Sequence, residues 1–324
     1  MRTSALGPGR EFDLIRSFLS ALPTHEAVLL GVGDDAALVR GGWVLTTDAS
    51  VEDVHFRRSW LAPEEIGYRA AAVALSDLAA MAAVPVALLV TLVLTADDYH
   101  DVGARIMRGV AQAAARYGAA IPGGDTTRSE GPLVIDIAAL GQSDRPVLRS
   151  GAQVGDEVWV TGTLGAAAAA VSAWRAGIPL DQAARAAFAQ PQPRLAEAQW
   201  LANRVILHAL IDISDGLASD AAHLAAASNV ALHIQTQDVP VHPAARMGHE
   251  PAHRALTGGD DYELCFTAAA GSVQPVRAAF QQTFGIALTC IGDVREGSGL
   301  ALVDHRGQPV NTELKGYDHF PGAS

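Results

Sequence analysis

The chain has 324 residues, 49% of them hydrophobic, and a formal net charge of −12. That length suggests two domains of ordinary size, and the acidic balance disfavours nucleic acid or an anionic membrane surface as a partner while favouring cations such as Mg²⁺. Lys315, in LKGYDHF, is the only lysine, which excludes both a Walker A loop and the strand lysine of protein kinases.

In chain order, MRTSALGPGREF lacks an apolar signal core, so a cytoplasmic location is expected. GVGDDAALV (31–39) is a glycine-rich loop carrying two carboxylates, Asp34 and Asp35, where such loops ordinarily cradle phosphate. VLTTD (44–48), VALLVTLVL (86–94) and LVIDIAALG (133–141) read as strands. Helices are expected over 64–83, which follows Pro63, and over 97–118, which opens with acids and closes at a glycine. Asp77 and Pro85 interrupt the apolar stretch 70–94, which therefore reads as a helix and a buried strand, not a membrane span.

The turn-rich segment SDRPVLRSGAQVGD (143–156) marks a domain boundary, placed between 146 and 147. Beyond it, 157–165 reads as a strand, a turn and a helix start, strands are expected at 209–214, 262–268, 287–294 and 300–305, and helices over 165–204, 215–228 and near 273–284. GGDTT (123–127) and GGDDY (258–262) echo one another too weakly to establish an internal repeat. Cys265 and Cys290 form no C-x-x-C and read as packing residues.

Five segments place Asp beside Gly, Ser or Thr: GVGDDAA, TTDAS, SDLAAM, GGDTTRS and DISDGLASD. Singly, each fits a helix cap or a turn. Ser76 and Asp77 do not, because they lie inside the apolar helix AAVALSDLAAMAA, where a carboxylate must find a partner. If the acids converge, each pair about 4 Å apart repels by about 4 kcal/mol at an effective dielectric of 20. Such a cluster requires cations, and hard oxygen donors suit Mg²⁺ shared with phosphate. Arg128 and Arg149 are candidates for contacting the phosphates.

The ordered series GVGDDAA, TTD, His55, SDLAAM, GGDTTR, VTGTLG, DISDGLASD, GGDDYELCFT and KGYDHF resembles the thiamine-monophosphate kinase family, of the aminoimidazole-ribotide synthetase superfamily, over essentially the whole chain. The resemblance implies an α/β (α+β) fold of two domains, 1–146 and 147–324, with the N-terminal strands forming a barrel across a homodimer. It implies ATP-dependent phosphorylation of thiamine monophosphate, with several Mg²⁺ ions and ATP bound without a P-loop. By motif position it implies metal ligands at Asp35, Thr46, Thr47, Asp48, Asp77, Asp125, Asp212 and Asp215, with Asp48, Asp77 and Asp125 the catalytic acids among them. Nucleotide contacts fall at Gly124, Asp125, Arg149 and Ser214, and substrate contacts at His55, Asp260 and Tyr317. The family usually has glutamate where this chain has Asp260, which implies altered affinity with activity retained. A selenophosphate synthetase normally carries a reactive cysteine near its N-terminus, which this chain lacks. A nucleotide-binding scaffold would have no need of the acids.

Overall fold

The computed structural model describes residues 3–98, 101–246 and 251–310. The first half comprises α1 (Arg10–Leu19), β1 (Val28–Leu30), β2 (Ala37–Val39), β3 (Trp43–Val51), α2 (Pro63–Ala80), β4 (Val84–Leu94), α3 (Val102–Tyr117), β5 (Ala120–Arg128) and β6 (Val134–Gln142). The second comprises β7 (Asp156–Thr161), α4 (Ala166–Ala176), α5 (Gln182–Ala189), α6 (Leu195–Ala202), β8 (Leu207–Asp212), α7 (Leu217–Ser228), β9 (Ala231–Gln235), α8 (Pro243–Arg246), α9 (Pro251–Thr257), β10 (Leu264–Ala269), α10 (Arg277–Phe284), β11 (Leu288–Arg295) and β12 (Gly299–Val303).

Each half is built on a mixed six-stranded sheet, in the orders β1-β2-β3-β6-β4-β5 and β12-β9-β11-β7-β10-β8. In the first, β4–β5 is the parallel pair, and in the second, β12–β9. One core cluster joins the halves, running from Val44 and Leu88 through α2 to Trp159, Phe188 and Phe266. A second lies under α7, around Val158, Ile211, Leu224 and Ile234.

The centre of the molecule is α2. Pro63 opens it, and Glu65 accepts a hydrogen bond from the Ala62 N–H at 2.9 Å, satisfying one donor of the first turn. Its alanines are strong helix formers, and the helix is buried almost all round. Two glycines set its approach to α3: a Cβ on Gly67 would stand 1.9 Å from the Ile106 carbonyl oxygen, and one on Gly109 1.8 Å from that of Glu64. Gly67→Val is therefore expected to separate the helices and destabilise the fold by about 3 kcal/mol or more. Thermal unfolding checks this; an unchanged midpoint contradicts it.

The first sheet is covered on one face only. Along β3, Val44, Thr46, Asp48 and Ser50 alternate with Trp43, Leu45, Thr47 and Ala49, and the first set faces the helices. Opposite them, Leu45, Val84, Val86 and Leu89 are exposed. The sheet is open in the single chain, with β5 an edge strand paired only to β4. Among the described residues no strand pairs with the other edge of β3 between Leu45, where its pairing with β2 ends, and Val51, whose N–H donates to His55.

Candidate active site

Why the loop at 31–37 carries two carboxylates is answered by their different partners. Asp34 is structural: it accepts from the backbone N–H of Arg149 at 3.1 and 3.2 Å and from the Ser4 hydroxyl at 3.1 Å. Burial and the neighbouring Asp35 push its pKa up to about 6. Asp35 turns inward, where the Arg149 guanidinium donates to its Oδ1 at 2.5 Å.

There it meets acids from two other elements. Single carboxylate oxygens of Asp35, Asp77 and Asp212 all lie within 4.8 Å of one another. Asp77 arrives on the buried face of α2 and Asp212 at the end of β8. Thr46 donates to Asp77 Oδ2 at 2.5 Å, and Ser76 to Asp212 Oδ2 at 2.5 Å. The pKa values of Asp77 and Asp212 are raised, by burial first and then by the neighbouring carboxylates. Asp48, on the same face of β3 as Thr46, adds its charge to that field.

Two buried acids and the half-buried Asp77 against one touching guanidinium leave negative charge in excess, and Asp35 Oδ2 is buried without a hydrogen-bond partner among the described residues. An orphaned carboxylate oxygen costs too much to be ordinary packing. The donors are carboxylate and hydroxyl oxygens, the set preferred by Mg²⁺. The residues present fit a divalent cation.

Beside this cluster, reached through Asp48 and Asp215 on its wall, a cleft of about 660 Å³ lies between the halves. Asp48, His55, Trp60, Arg69, Ser214, Asp215, Asp260 and Tyr262 contribute to its walls. His55 Nδ1 accepts the Val51 N–H at 3.0 Å, so the neutral ring carries its proton on Nε2. Trp60 stacks on Trp174 at 5.0 Å, and Phe188 meets both edge-on, making one end of the cleft aromatic. The loop after β8 is fixed by Asp220, a buried acid that accepts the N–H groups of Ser214 and Asp215, each at 3.1 Å.

Several expected site residues are not gathered here by one chain. Thr47 lines the cleft, but its hydroxyl donates to Asp136 on the open side of the sheet at 2.9 Å. Strand alternation, invisible in the motif TTD, divides the two threonines between faces. Gly124 and Asp125 lie within β5, so their motif is neither a helix cap nor a turn. Asp125 shares a row with Thr91, Asp136 and Ala49, so it stands on the open face, three strands from β3. Three strand spacings amount to about 14 Å. A Cβ on Gly124 would stand 1.9 Å from the Val90 carbonyl oxygen, so a packing requirement exists there too. Arg128 is exposed at the end of β5. Tyr317 and Lys315 lie outside the described residues.

Arg69, Asp220 and the Glu263–Arg194 pair were missed by sequence reasoning. Glu263 accepts from Arg194 at 2.5 and 2.9 Å and from Thr161 at 2.5 Å, bracing β10 against β7 and α6. Arg69 had a readable signal: it is the one cation in the helix, eight residues before Asp77.

Two family models match in order: the AIR synthase related protein N-terminal domain over residues 33–143 and the C-terminal domain over 153–305. The thiamine-monophosphate kinase of Escherichia coli K12 is 34% identical, covering 96% of this chain and 98% of its own. That of Bacillus subtilis is 32% identical, covering 96% and 99%. The solved structure of AaThiL complexed with AMPPCP and TMP superposes with a TM-score of 0.82 at 32% identity, covering 96% of this chain and 97% of the other. Hydrogenase maturation protein HypE in complex with ATP, at 19% identity and a TM-score of 0.71 over 95% and 96% of the two chains, shares the fold.

Proposed function

The chain belongs to the thiamine-monophosphate kinase family of AIR synthase related proteins, and from that premise we propose that it transfers the γ-phosphoryl group of ATP to the phosphate of thiamine monophosphate, giving thiamine diphosphate and ADP. The observation that carries this reading is the convergence of Asp35, Asp77 and Asp212 on one point at the cleft, in a fold shared with a relative solved with an ATP analogue and TMP.

The acceptor is a phosphate monoester, already ionised near neutral pH, so no base is needed to remove a proton. An acceptor oxygen attacks the γ-phosphorus in line, and the bond to the bridging oxygen breaks toward ADP, with no phosphoenzyme. The difficulty is bringing anions together, so the work is alignment and charge neutralisation. Asp35, Thr46, Asp48, Asp77, Asp212 and Asp215 would hold the Mg²⁺ ions, with Thr47 offering its backbone. Bound there, the ions neutralise the phosphates of both substrates. Arg149 fixes Asp35, and Ser214 and His55 both line the cleft.

Gly124 and Asp125 enter this scheme from a second copy of the chain. The edge of β3 between Leu45 and Val51 and the outer edge of β5 are templates for each other. Joining them in both directions takes β3, β6, β4 and β5 from each chain and closes eight strands, the number whose interior side chains just fill. Leu45, Val86 and Leu89 then fill that interior, and the backbone of Gly124 and Asp125 arrives beside that of Thr47 and Asp48. The two domains of each chain would divide at 146/147, in the connection between β6 and β7. Among the described residues no helix is long and apolar enough to cross a membrane; we place the reaction in the cytoplasm, where ATP is available.

Phosphorus NMR of the protein with ATP, Mg²⁺ and thiamine monophosphate tests the activity. A thiamine diphosphate signal that EDTA abolishes is the expected result. ATP binding without that signal would refute the reading.

A further inference from the structure

Resting on that reading, we propose that Arg69 and Tyr262 are positioning residues for Asp260, holding its carboxylate so that one oxygen accepts a hydrogen bond from the exocyclic amino group of the thiamine pyrimidine. Arg69 Nη2 donates to Asp260 Oδ1 at 2.5 Å, and the Tyr262 hydroxyl donates to the same oxygen at 2.8 Å. Both donors fall on Oδ1, which leaves Oδ2 as the atom available to a ligand. Asp260 lines the cleft with 30% of its side chain exposed, while Arg69 is 5% exposed.

Arg69 is itself fixed. Its Nη1 donates to the Phe188 carbonyl at 2.9 Å, and its guanidinium lies over the Phe188 ring, 4.1 Å from the centroid. The backbone beneath Asp260 is equally committed. Asp260 and Tyr262 both have positive φ, +70° and +50°, an uncommon conformation for residues with side chains. Their N–H groups bond to the carbonyls of Ser214 and Ile213, each at 2.8 Å, stapling this turn to the loop that carries Asp212 and Asp215. Strain held by so many contacts marks a functional constraint.

The amino group follows from two facts. Arg69 and Asp77 lie on one buried helix, eight residues apart, which is about 12 Å along the axis. Asp260 is an anion, which repels the acceptor phosphate and calls for a hydrogen-bond donor, and the aminopyrimidine carries the only N–H donors in thiamine monophosphate. Arg69 also accounts for an aspartate where a glutamate is expected: a guanidinium reaching out from α2 meets the shorter acid.

The test compares Arg69→Lys and Tyr262→Phe with the parent protein in steady-state kinetics on thiamine monophosphate and on oxythiamine monophosphate, whose amino group is replaced by oxygen. For Arg69→Lys, kcat/KM for thiamine monophosphate should fall about tenfold or more, equivalent to one charge-assisted hydrogen bond, with KM for ATP within about twofold. Tyr262→Phe, which removes only a hydroxyl, should fall about threefold and guards against misfolding of the first variant. Both losses should shrink with oxythiamine monophosphate. Equal losses on the two substrates, or an unchanged kcat/KM in both variants, would overturn the proposal. Failure of the parent protein to phosphorylate thiamine monophosphate would instead overturn the function on which it rests.

Discussion

Asp77→Asn should reduce turnover by about a thousandfold or more while leaving the fold intact. The side chain accepts from Thr46 and lies within 4.8 Å of acids on two other elements. The amide matches the carboxylate in size, so packing on α2 is kept and the Thr46 bond survives. On the proposed reading, what is lost is a hard anionic ligand for the cations that neutralise the phosphates, and charge stabilisation of this kind commonly supplies most of the acceleration in phosphoryl transfer. The metal-free protein should, if anything, become more stable, because burial and the charges of Asp212, Asp48 and Asp35 all oppose ionisation of Asp77. Single-turnover assay paired with thermal unfolding in EDTA measures both effects. Turnover near that of the parent would remove Asp77 from the centre of the site, and a large loss of stability would make its role one of packing.

Mixing two inactive variants should restore activity if the site is shared between copies. Asp77→Asn and Asp125→Asn homodimers are each expected to be inactive. A mixed dimer pairs the intact Asp77 of one chain with the intact Asp125 of the other at one of its two sites. Random reassortment makes half the dimers mixed, so about a quarter of parental activity should return, provided subunits exchange or are refolded together. If Asp125 acted within its own chain, no mixture would recover any activity. The register supports sharing, because Asp125 stands on the open face of its own sheet, three strands from β3.

The periodic parts of the fold were legible in the sequence because they are dictated locally. The expected strands 44–48, 86–94 and 133–141 correspond to β3, β4 and β6, and the alanine-rich helix before Met81 to α2. The elements that escaped include β1, β2 and β9, with five residues or fewer, too few to establish a period, α1, which buries none of its described side chains, and the nine-residue β5, where Pro122, Gly123 and Gly124 hide the strand signal. The stretch 97–118 resolves into a 3₁₀ turn at Ala96–Asp98 and a helix that begins only at Val102. At the site, the acids were legible because Asp77 has no structural reason to lie in an apolar helix. Their partners were not. That Arg149 meets Asp35, 114 positions earlier, and Arg69 meets Asp260, 191 positions later, follows from how two sheets dock, which no local window contains.

The bond between Arg149 and Asp35 also imposes an order of events during synthesis. Every strand of the first sheet has left the ribosome before Arg149 does, since β6 ends at Gln142. Until then Asp35 and Asp77 stand near each other without that guanidinium, and Asp212 arrives later still. The nascent first half therefore holds only part of the cluster, which is completed when Arg149 and Asp212 of the second half arrive.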